Sequence, residues 1–377
     1  MQPSERRPFR RRRTRKKPGI EKKTIRFLLV APQGLGDSIE TTPLLSELKR
    51  ARPEARVDVV VLRPGPRELF TGLPHLVERV IELPYWERGK LAFVKALGSN
   101  VRVARYAASF LAYPAARPEY QALPWLMGAR RRFGHRYFDR PSVFNGLALQ
   151  TTLVPVRDVH NVERNLDLLR AAGIEAQSPR QYSMPPNWFA LNGARSNCIA
   201  VHIGTSTHHG LHARRWGAEN FARLIGRLRA RGFEVALICG PDERELTHEI
   251  ASRTNVARVV EGSLAEVARY LSSCLALVAN DSGIAHMGAG VRTPTLAIFG
   301  PTPTNHGPLG ENAVAFRPSA CPACFDPRRL DARCARNVDY QCLRLDAPVE
   351  AVEAALIELI ARSQAEIQVG STAGGSL

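Results

Sequence analysis

Short apolar runs alternate with amphipathic stretches along the chain, and two of the runs end in similar turns. Residues 25–30 precede Gly34-Leu35-Gly36-Asp37, and residues 275–279 precede Asn280-Asp281-Ser282-Gly283. Each pattern predicts a buried strand, a sharp turn and a helix that starts at once. Such a helix start presents free backbone N–H groups and a positive dipole end, which suit a phosphate. We therefore predict two domains that face one ligand cleft.

In the first half, the pattern predicts strands at 25–30, 57–62 and 77–83 and helices at 42–52 and 160–172. Thr42 is the predicted N-cap of its helix, with Pro43 at the first helical position. If that helix starts at Ser38 instead, Pro43 should bend it. Residues 84–150 have weak periodicity, and we predict helices and loops around an acceptor pocket there.

In the second half, the pattern predicts strands at 198–203, 233–239, 275–279 and 295–299. The predicted helices are 218–231, 242–253, 264–273, 284–290 and 348–362. Alternation of this kind predicts an α/β protein with parallel sheets covered by helices on both faces.

The same pass along the chain predicts its domain organisation. Residues 1–23 form a basic disordered tail, 24–180 the first domain and 181–346 the second. The segment 177–196 is rich in Pro, Asn, Ser and Gly and is the predicted interdomain linker. Residues 347–377 supply a helix that we expect to pack back on the first domain, followed by a flexible tail.

The net charge of +18 is concentrated near the start of the chain. Residues 1–26 hold 12 Lys or Arg against two Glu, which accounts for ten of these charges. A tail of this composition can dock on anionic lipid, bind nucleic acid without sequence preference, or have no specific role. No run of 18 apolar residues and no secretory signal pattern is visible, so we expect a cytoplasmic protein.

Several motifs in order resemble glycosyltransferase family 9, the lipopolysaccharide heptosyltransferases. They are Gly34-Leu35-Gly36-Asp37 with Thr42-Pro43, His202-Ile203-Gly204-Thr205-Ser206, Arg214-Arg215-Trp216, Gly240-Pro241-Asp242-Glu243, Ser263-Leu264, Asn280-Asp281-Ser282-Gly283 with His286, and Phe299-Gly300-Pro301-Thr302. The resemblance covers roughly residues 24–360. It implies the GT-B fold of two Rossmann-like, doubly wound parallel-sheet domains, inverting chemistry and an ADP-heptose donor.

Transfer of a sugar from a nucleotide needs a base on the acceptor hydroxyl, and Asp37 is the candidate. Its place after a strand suits a base and a simple helix cap equally well. The resemblance favours the base. Gly34 and Gly36 form the acceptor-side loop, where glycine permits tight backbone geometry and close approach of a substrate.

The leaving diphosphate needs hydrogen-bond donors and positive charge. Thr205, Ser206 and Thr207 follow a predicted strand and can donate hydroxyl and amide hydrogen bonds. We assign Arg214 to the diphosphate, although the family pattern usually has Lys there and the two cations are not interchangeable. The backbone amides of Ser282 and Gly283 would complete this phosphate site.

The other donor contacts involve four residues with competing interpretations. Asp281 either caps its own helix or accepts hydrogen bonds from the sugar, as the resemblance suggests. His286 lies on the same helical face as Ser282 and is either a ligand contact or structural. Glu243 can bind the ribose hydroxyls or simply complement a helix dipole, and neighbouring Glu245 is a possible register alternative. Leu264 would border the adenine.

Four cysteines cluster as Cys321-x2-Cys324-x9-Cys334-x7-Cys342. In a reducing compartment this suggests a metal site rather than disulfides, but the spacing lacks the paired repeat of a zinc ribbon. We expect no catalytic metal and no required cofactor, and we leave a structural zinc ion and free thiols as alternatives.

The resulting hypothesis is an inverting transfer of heptose from ADP-heptose to a lipid-linked lipopolysaccharide core acceptor. The enzyme would work at the cytoplasmic face of the inner membrane, with its tail on anionic lipid and no specific nucleic acid. A sugar-nucleotide epimerase of similar build and a tail-driven nucleic-acid-binding protein are the alternatives. An NAD-dependent dehydrogenase is disfavoured because the first turn lacks the third glycine of the dinucleotide fingerprint.

Overall fold

The computed structural model describes residues 25–83, 85–101, 106–137, 150–179, 181–190, 195–205, 215–326, 334, 336, 338 and 340–373. The basic tail 1–23 and the last residues, 374–377, lie outside this range. The described residues form two lobes, each built on a six-stranded parallel sheet. The predicted α/β architecture is therefore confirmed.

The described residues of the first lobe form six strands and six α-helices. Its strands are β1 Arg26–Ala31, β2 Arg56–Val61, β3 Arg79–Glu82, β4 Ala108–Leu111, β5 Arg131–Arg136 and β6 Thr152–Pro155. Its helices are α1 Leu35–Ile39, α2 Thr42–Ala51, α3 Pro64–Thr71, α4 Tyr85–Val101, α5 Pro118–Leu126 and α6 Asn161–Ala171. The strand order is β3-β2-β1-β4-β5-β6, so the chain reverses its direction across the sheet between β1 and β4.

The second lobe repeats this plan. Its strands are β7 Cys198–His202, β8 Glu234–Ile238, β9 Arg258–Val260, β10 Ala276–Asn280, β11 Thr295–Ile298 and β12 Ala313–Phe316. Its helices are α7 Ala218–Ala230, α8 Arg244–Thr254, α9 Leu264–Ser272, α10 Gly283–Gly290, α11 Gln341–Arg344 and α12 Val349–Ala373. The order β12-β11-β10-β7-β8-β9 places the reversal between β7 and β10.

The central strands are apolar because both faces of each sheet are covered. All five residues of β10 are buried, as are five of the six in β1. In the first sheet Leu29 lies beside Val59 of β2, and in the second Val278 lies beside Val201 of β7. Continuous apolar strands of this type are typical of parallel sheets between helices, which explains why they were readable in the sequence.

Five strands were not predicted, and two of them, β4 and β5, lie in the segment where we expected only helices and loops. The strands β6, β9 and β12 lie at sheet edges and have three or four residues each. Strand β5 reads Arg-Arg-Phe-Gly-His-Arg, which has little apolar pattern. Short or polar strands are held by their paired neighbours rather than by a signal of their own.

Helices α1 and α2 are separate, which settles the two alternatives for this region. Thr41 is the N-cap of α2, so Thr42 lies one position further into the helix than predicted and Pro43 is its second residue. Because proline lacks only an N–H group that the first turn does not use, α2 accommodates it without a bend.

The last helix contradicts the prediction that it packs on the first domain. Val352, Leu356 and Leu359 of α12 are buried in the core of the second lobe, beside Trp216 and Phe221. Charge stabilises the same packing, because Glu353 pairs with Arg227 of α7 and with Arg231, the residue that follows α7, at N···O distances of 2.5 and 2.6 Å. The helix also extends to Ala373, beyond the predicted end at 362.

The predicted linker is partly buried instead of running freely over the surface. Tyr182, Met184 and Trp188 belong to a hydrophobic cluster that includes residues of both lobes. The Ser183 amide donates to Thr42 Oγ1 at 3.0 Å. The connection therefore fixes the lobes against each other as well as joining them.

Candidate active site

The two chain reversals meet where the lobes touch. Helix α1 follows β1 and helix α10 follows β10, and the two helices pack against each other. A Cβ atom added to Gly36 would lie 2.9 Å from His286 Cδ2, and one added to Gly283 would lie 3.0 Å from Leu35 Cβ. Ligands of open α/β sheets bind beside the carboxyl ends of strands at such reversals. The structure therefore brings the two predicted turns together in one place.

Asp37 and Asp281 lie on the two sides of this contact. Asp37 is in the first turn of α1, and Asp281 follows β10, where its amide donates to Ile298 O at 3.1 Å. Both side chains are half-buried. Burial raises the pKa of Glu40 well above its usual range, and the charges of both Asp37 and Asp281 raise it further. The two aspartates thus lie near one buried carboxyl group, on opposite sides of the crevice between the lobes.

A cationic and aromatic wall lies beside Asp37 in the first lobe. The Arg164 guanidinium lies 4.7 Å from the centre of the Tyr113 ring, and its Nη1 is 3.1 Å from His306 Nε2 of the second lobe. Burial raises the pKa of Tyr113 to about 12, with Arg164 opposing the shift and the charge of Asp37 adding to it. This wall joins the lobes at the base of the crevice.

The sequence of helix α6 explains how it positions Arg164. His160 is the N-cap, and its Nδ1 accepts a hydrogen bond from Val162 N at 3.1 Å. The other ring nitrogen lies 2.9 Å from Gly307 O, across the lobe boundary. Asn161 and Arg164, one turn apart, then reach Glu40 of the first lobe and His306 of the second, and they bond to each other at 2.6 Å.

On the second lobe, Asn280 ties the loop after β7 to β10. Its Oδ1 accepts from Trp216 N at 2.9 Å, and its Nδ2 donates to Ile203 O at 2.8 Å. The ring of His202 lies 3.2 Å from Ser282 Oγ through Nδ1. Ile203 and Trp216 are the two ends of the segment that carries the predicted phosphate ligands. These bonds therefore place both ends beside the start of α10.

The predicted phosphate ligands are only partly described. Thr205 is buried, and its carbonyl accepts from Arg215 Nη2 at 3.3 Å. Ser206, Thr207 and Arg214 lie outside the described residues. The arginine that the structure does place here is therefore Arg215, which sequence reasoning had not selected.

Glu243 is 7% exposed and is held by two donors. Its Oε1 lies 3.0 Å from His202 Nε2 and accepts from the Gly240 amide at 2.9 Å. Burial alone would raise the pKa of Glu243, but His202, the Gly240 amide and the charge of Arg215 together lower it. Glu243 is therefore an ionised buried carboxylate.

A cavity of about 520 Å³ lies against Glu243. Its lining includes Arg215, Asp242 and Glu245. Unlike Glu243, Glu245 is exposed, at the first turn of α8. This cavity is the candidate pocket for a nucleoside, with a cation and a fixed carboxylate on its wall.

His286 and Leu264 both lie at the lobe boundary. The His286 ring is buried, its Nδ1 is 3.0 Å from Tyr182 OH, and burial lowers its pKa to about 3. It is therefore neutral and packed between the lobes. The amides of Leu264 and Ala265 donate to the Glu68 carboxylate of the first lobe at 3.3 and 2.8 Å.

The remaining predicted residues are Gly34 of the first turn and Ser282 and Gly283 of the second. Gly34 is the N-cap of α1, with no atom within 4 Å of an added Cβ. The amides of Ser282 and Gly283 begin α10, as predicted, and Ser282 is its N-cap without a side-chain cap bond. Their role as phosphate donors stays a prediction.

Cys342 of the cysteine cluster lies within α11, and Cys324 precedes Phe325, whose ring lies 5.1 Å from that of His306. Cys342 is buried, and burial raises the pKa of its thiol to about 11, with a further contribution from Cys321. Across the described residues, no three His, Cys, Asp or Glu side chains form a group that could hold a metal ion. Likewise, none of the helices in the described part of the chain is long and apolar enough to span a bilayer.

Several important residues were missed by sequence reasoning. Glu40 lies three residues after Asp37, so helical spacing could have selected it. Arg164 and His306 are 142 residues apart and carry no motif, so only the fold brings them together.

Comparison with known proteins gives a consistent result. Lipopolysaccharide heptosyltransferase 3 of Escherichia coli is 28% identical over 290 residues, which are 71% of this chain and 81% of that protein. The structure of glycosyl transferase family 9 from Veillonella parvula DSM 2008 matches with a TM-score of 0.71 at 18% identity, over 90% of this chain and 98% of that one. E. coli heptosyltransferase WaaC, solved with ADP-2-deoxy-2-fluoro heptose, matches with a TM-score of 0.66 at 21% identity, over 89% and 99%.

These structural matches confirm the GT-B fold, two Rossmann-like lobes that face each other across a cleft. The sequence profile of Glycosyltransferase family 9 (heptosyltransferase) matches residues 121–331, which is more than half of the chain. The chain belongs to glycosyltransferase family 9.

Proposed function

We propose that the protein is an inverting glycosyltransferase that moves a heptose from ADP-heptose to a lipopolysaccharide core acceptor. The observation that supports the proposal is the position of Asp37 and Asp281 at the two chain reversals, on either side of the contact between α1 and α10. Family membership and the heptosyltransferase relatives support the substrate class and favour it over an epimerase or a nucleic-acid-binding protein.

In the proposed reaction Asp37 takes the proton of an acceptor hydroxyl. The hydroxyl oxygen forms a bond to the anomeric carbon of the heptose, and the bond from that carbon to the ADP oxygen breaks. ADP leaves with the electron pair of that bond, and attack from the opposite face inverts the anomeric centre. A base placed for this step accelerates the reaction by about 10²–10⁴-fold.

The second lobe would hold the donor. Thr205, Ser206, Arg214 and the amides of Ser282 and Gly283 would bind the diphosphate, and Arg215 adds a cation that the structure places beside Thr205. Asp281 would accept hydrogen bonds from the heptose hydroxyls. Glu243 would bind the ribose in the neighbouring cavity, with Leu264 towards the adenine.

The location of the enzyme follows from its acceptor. We infer that it works in the cytoplasm at the inner membrane, where a lipid-linked core is available. The basic residues within 1–23 would contribute on the order of 1 kcal/mol each to binding anionic lipid. The transfer itself needs no metal ion in this proposal, and whether the cysteine cluster holds zinc is a separate question that metal analysis of the purified protein answers.

The test incubates the protein with ADP-heptose and a panel of core acceptors and measures release of ADP. Asp37→Asn should lower kcat by about 10²–10⁴-fold and leave the KM of the donor nearly unchanged, because it removes a base and no donor contact. Asp281→Asn should instead act mainly on the KM of ADP-heptose.

The two variants are isosteric, so each serves as the folding control of the other. ADP release without any acceptor would argue for a hydrolase or epimerase. Full turnover in Asp37→Asn would remove this residue from the mechanism.

A further inference from the structure

Glu40 is a buried acid whose hydrogen bonds are incomplete. It is the C-cap residue of α1, one helical turn after Asp37, and its side chain is 1% exposed. Its Oε2 accepts from Asn161 Nδ2 at 2.9 Å. Its Oε1 is fully buried and has no hydrogen-bond partner among the described residues. A buried carboxylate normally has a cation or several donors, so Glu40 is not built to be ionised.

The Asn161 contact continues into a chain that joins the lobes. Asn161 Oδ1 accepts from Arg164 Nη1 at 2.6 Å, and the same Nη1 reaches His306 Nε2 of the second lobe. Asn161 thus lies between Glu40 and Arg164 and is hydrogen-bonded to both. The position of Glu40 therefore depends on the contact between the lobes.

The charges that face Glu40 are mainly negative. The charged groups that act on it from the neighbouring elements are Asp37 of α1, Asp281 after β10 and Arg164 of α6. The charge of Glu40 in turn raises the pKa of Tyr113 after β4 and of Tyr182 in the interlobe segment. Burial raises the pKa of Glu40, Asp37 raises it further, and only Asn161 and Arg164 oppose the shift. Because each negative charge disfavours the ionised form of the other group, neighbouring carboxyl groups do not both ionise readily.

We propose that Glu40 is a positioning residue that holds a proton on Oε1, so that Asp37 is the ionised member of the pair and no third negative charge meets the donor diphosphate. This role rests on the proposed function of Asp37 as the base. Glu40 itself is buried beneath the crevice and acts through Asp37 and through the electrostatic potential of the donor site.

The proposal has a consequence for pH dependence. Below the raised pKa Glu40 is neutral, and the crevice carries the charges of Asp37 and Asp281 alone. Above that pKa Glu40 becomes a third carboxylate, and repulsion of the diphosphate should raise the KM of the donor. Glu40→Gln has a neutral amide in place of the acid and keeps an oxygen for Asn161, so it should lack this alkaline rise.

The first experiment measures kcat and the donor KM against pH for the wild type and Glu40→Gln. At neutral pH the variant should keep kcat/KM within about threefold, since only an isosteric neutral group is exchanged. At alkaline pH the wild-type KM should rise while that of the variant stays flat. The same alkaline rise in both proteins would overturn the positioning role.

The second experiment needs no substrate and follows thermal unfolding between about pH 5 and pH 8. The unfolded chain releases the Glu40 proton near the ordinary Glu pKa of about 4.3, whereas the folded wild type keeps it. The wild type therefore loses stability relative to Glu40→Gln as pH rises, and the difference in Tm should grow by about 2 °C per pH unit until the raised pKa is passed.

Glu353→Gln is the matched control. Glu353 is also buried, at 3% exposure, but Arg227 and Arg231 outweigh burial and lower its pKa. The contribution of Glu353 to stability therefore changes only below the ordinary Glu pKa of about 4.3. The difference in Tm between Glu353→Gln and the wild type should stay constant over the tested range. A constant difference for Glu40→Gln as well would overturn the held proton.

The two experiments distinguish failure of the proposed function from failure of the proposal for Glu40. A growing Tm difference in a protein that transfers no heptose would contradict the proposed function and support the held proton. Heptose transfer together with a constant Tm difference would support the function and overturn the proposal for Glu40.

Discussion

The turn after β1 and the turn after β10 share one backbone plan and carry different chemistry. Each follows a buried strand at a chain reversal, and each leads into a helix that packs on the other. The first turn supplies two acids, Asp37 and Glu40. The second supplies Ser282, the start of α10 and a single acid, Asp281. The shared plan brings the partners together, and in the proposed function the side chains divide the base and donor-binding roles between the lobes.

The two turns also differ in whether their buried polar groups have hydrogen-bond partners. Asn280 of the second lobe uses its oxygen and its amide nitrogen on backbone groups, so it holds a loop in place. Glu40 of the first lobe leaves an oxygen without a hydrogen-bond partner among the described residues. Because incomplete satisfaction of a buried acid costs stability, its presence next to Asp37 points to function rather than to folding.

The contact between the two turns should be the most sensitive point, and Gly36→Ala tests it. The new Cβ would lie 2.9 Å from the His286 ring, which is buried and bonded to Tyr182 and so has little freedom to move. The turns would be pushed apart by a fraction of an ångström. We expect kcat/KM to fall by about 100-fold, as when reacting groups are misplaced.

Gly34→Ala is the comparison on the same turn. No atom lies within 4 Å of its added Cβ, and its φ of −75° suits alanine. Its loss of kcat/KM should be much smaller than that of Gly36→Ala. Equal losses in both variants would mean that the first turn needs glycine for flexibility, and that its contact with α10 is not decisive.

The second prediction concerns the donor side. Glu243→Gln keeps the shape of the side chain and removes the ionised carboxylate that faces the cavity. We expect the KM of ADP-heptose to rise by about tenfold with a smaller change in kcat, because a contact to the ribose acts in the ground state and the transition state alike.

Glu245→Gln separates the two possible registers. Glu245 lines the same cavity but is exposed and should affect the donor KM less. A larger rise for Glu245→Gln than for Glu243→Gln would move the ribose contact to Glu245 and make Glu243 a support for the loop at Gly240.

The parts of the site that were predictable are those with local signals. Asp37 and Asp281 each follow an apolar strand and stand among small residues, so their place at the strand ends was readable. The fold class followed from the alternation of strands and helices. Short edge strands such as β9 and β12 have too few residues to show a period.

The rest of the site depends on contacts between distant segments. His286, for which both a ligand contact and a structural role were open, is buried against Tyr182 and Gly36, more than 100 and 200 residues away in the chain. The contact with a ligand stays a prediction. The predicted position of α12 was wrong because its apolar stripe does not indicate which lobe it covers. The choice depends on burial of this stripe in the core of the second lobe and on the pairing of Glu353 with Arg227 and Arg231, contacts between segments that are far apart in the chain.

The smallest expected effect belongs to Glu68, which crosses between the lobes away from the two turns. Its carboxylate accepts from the Leu264 and Ala265 amides at the start of α9, the helix that we place beside the adenine. Glu68→Gln offers one acceptor oxygen instead of two and removes the charge at the helix start. We expect the donor KM to rise by only about two- to threefold, since one charge-assisted bond at a half-exposed site is lost.

The control is Glu82→Gln, which breaks an ion pair with Arg67 of the same helix α3 and has no part in the lobe contact. If both variants leave the donor KM at the wild-type value, the Glu68 contact does not hold the adenine side of the cleft. In that case closure depends on the α1–α10 contact, and the two turns compared above would govern the geometry of the site by themselves.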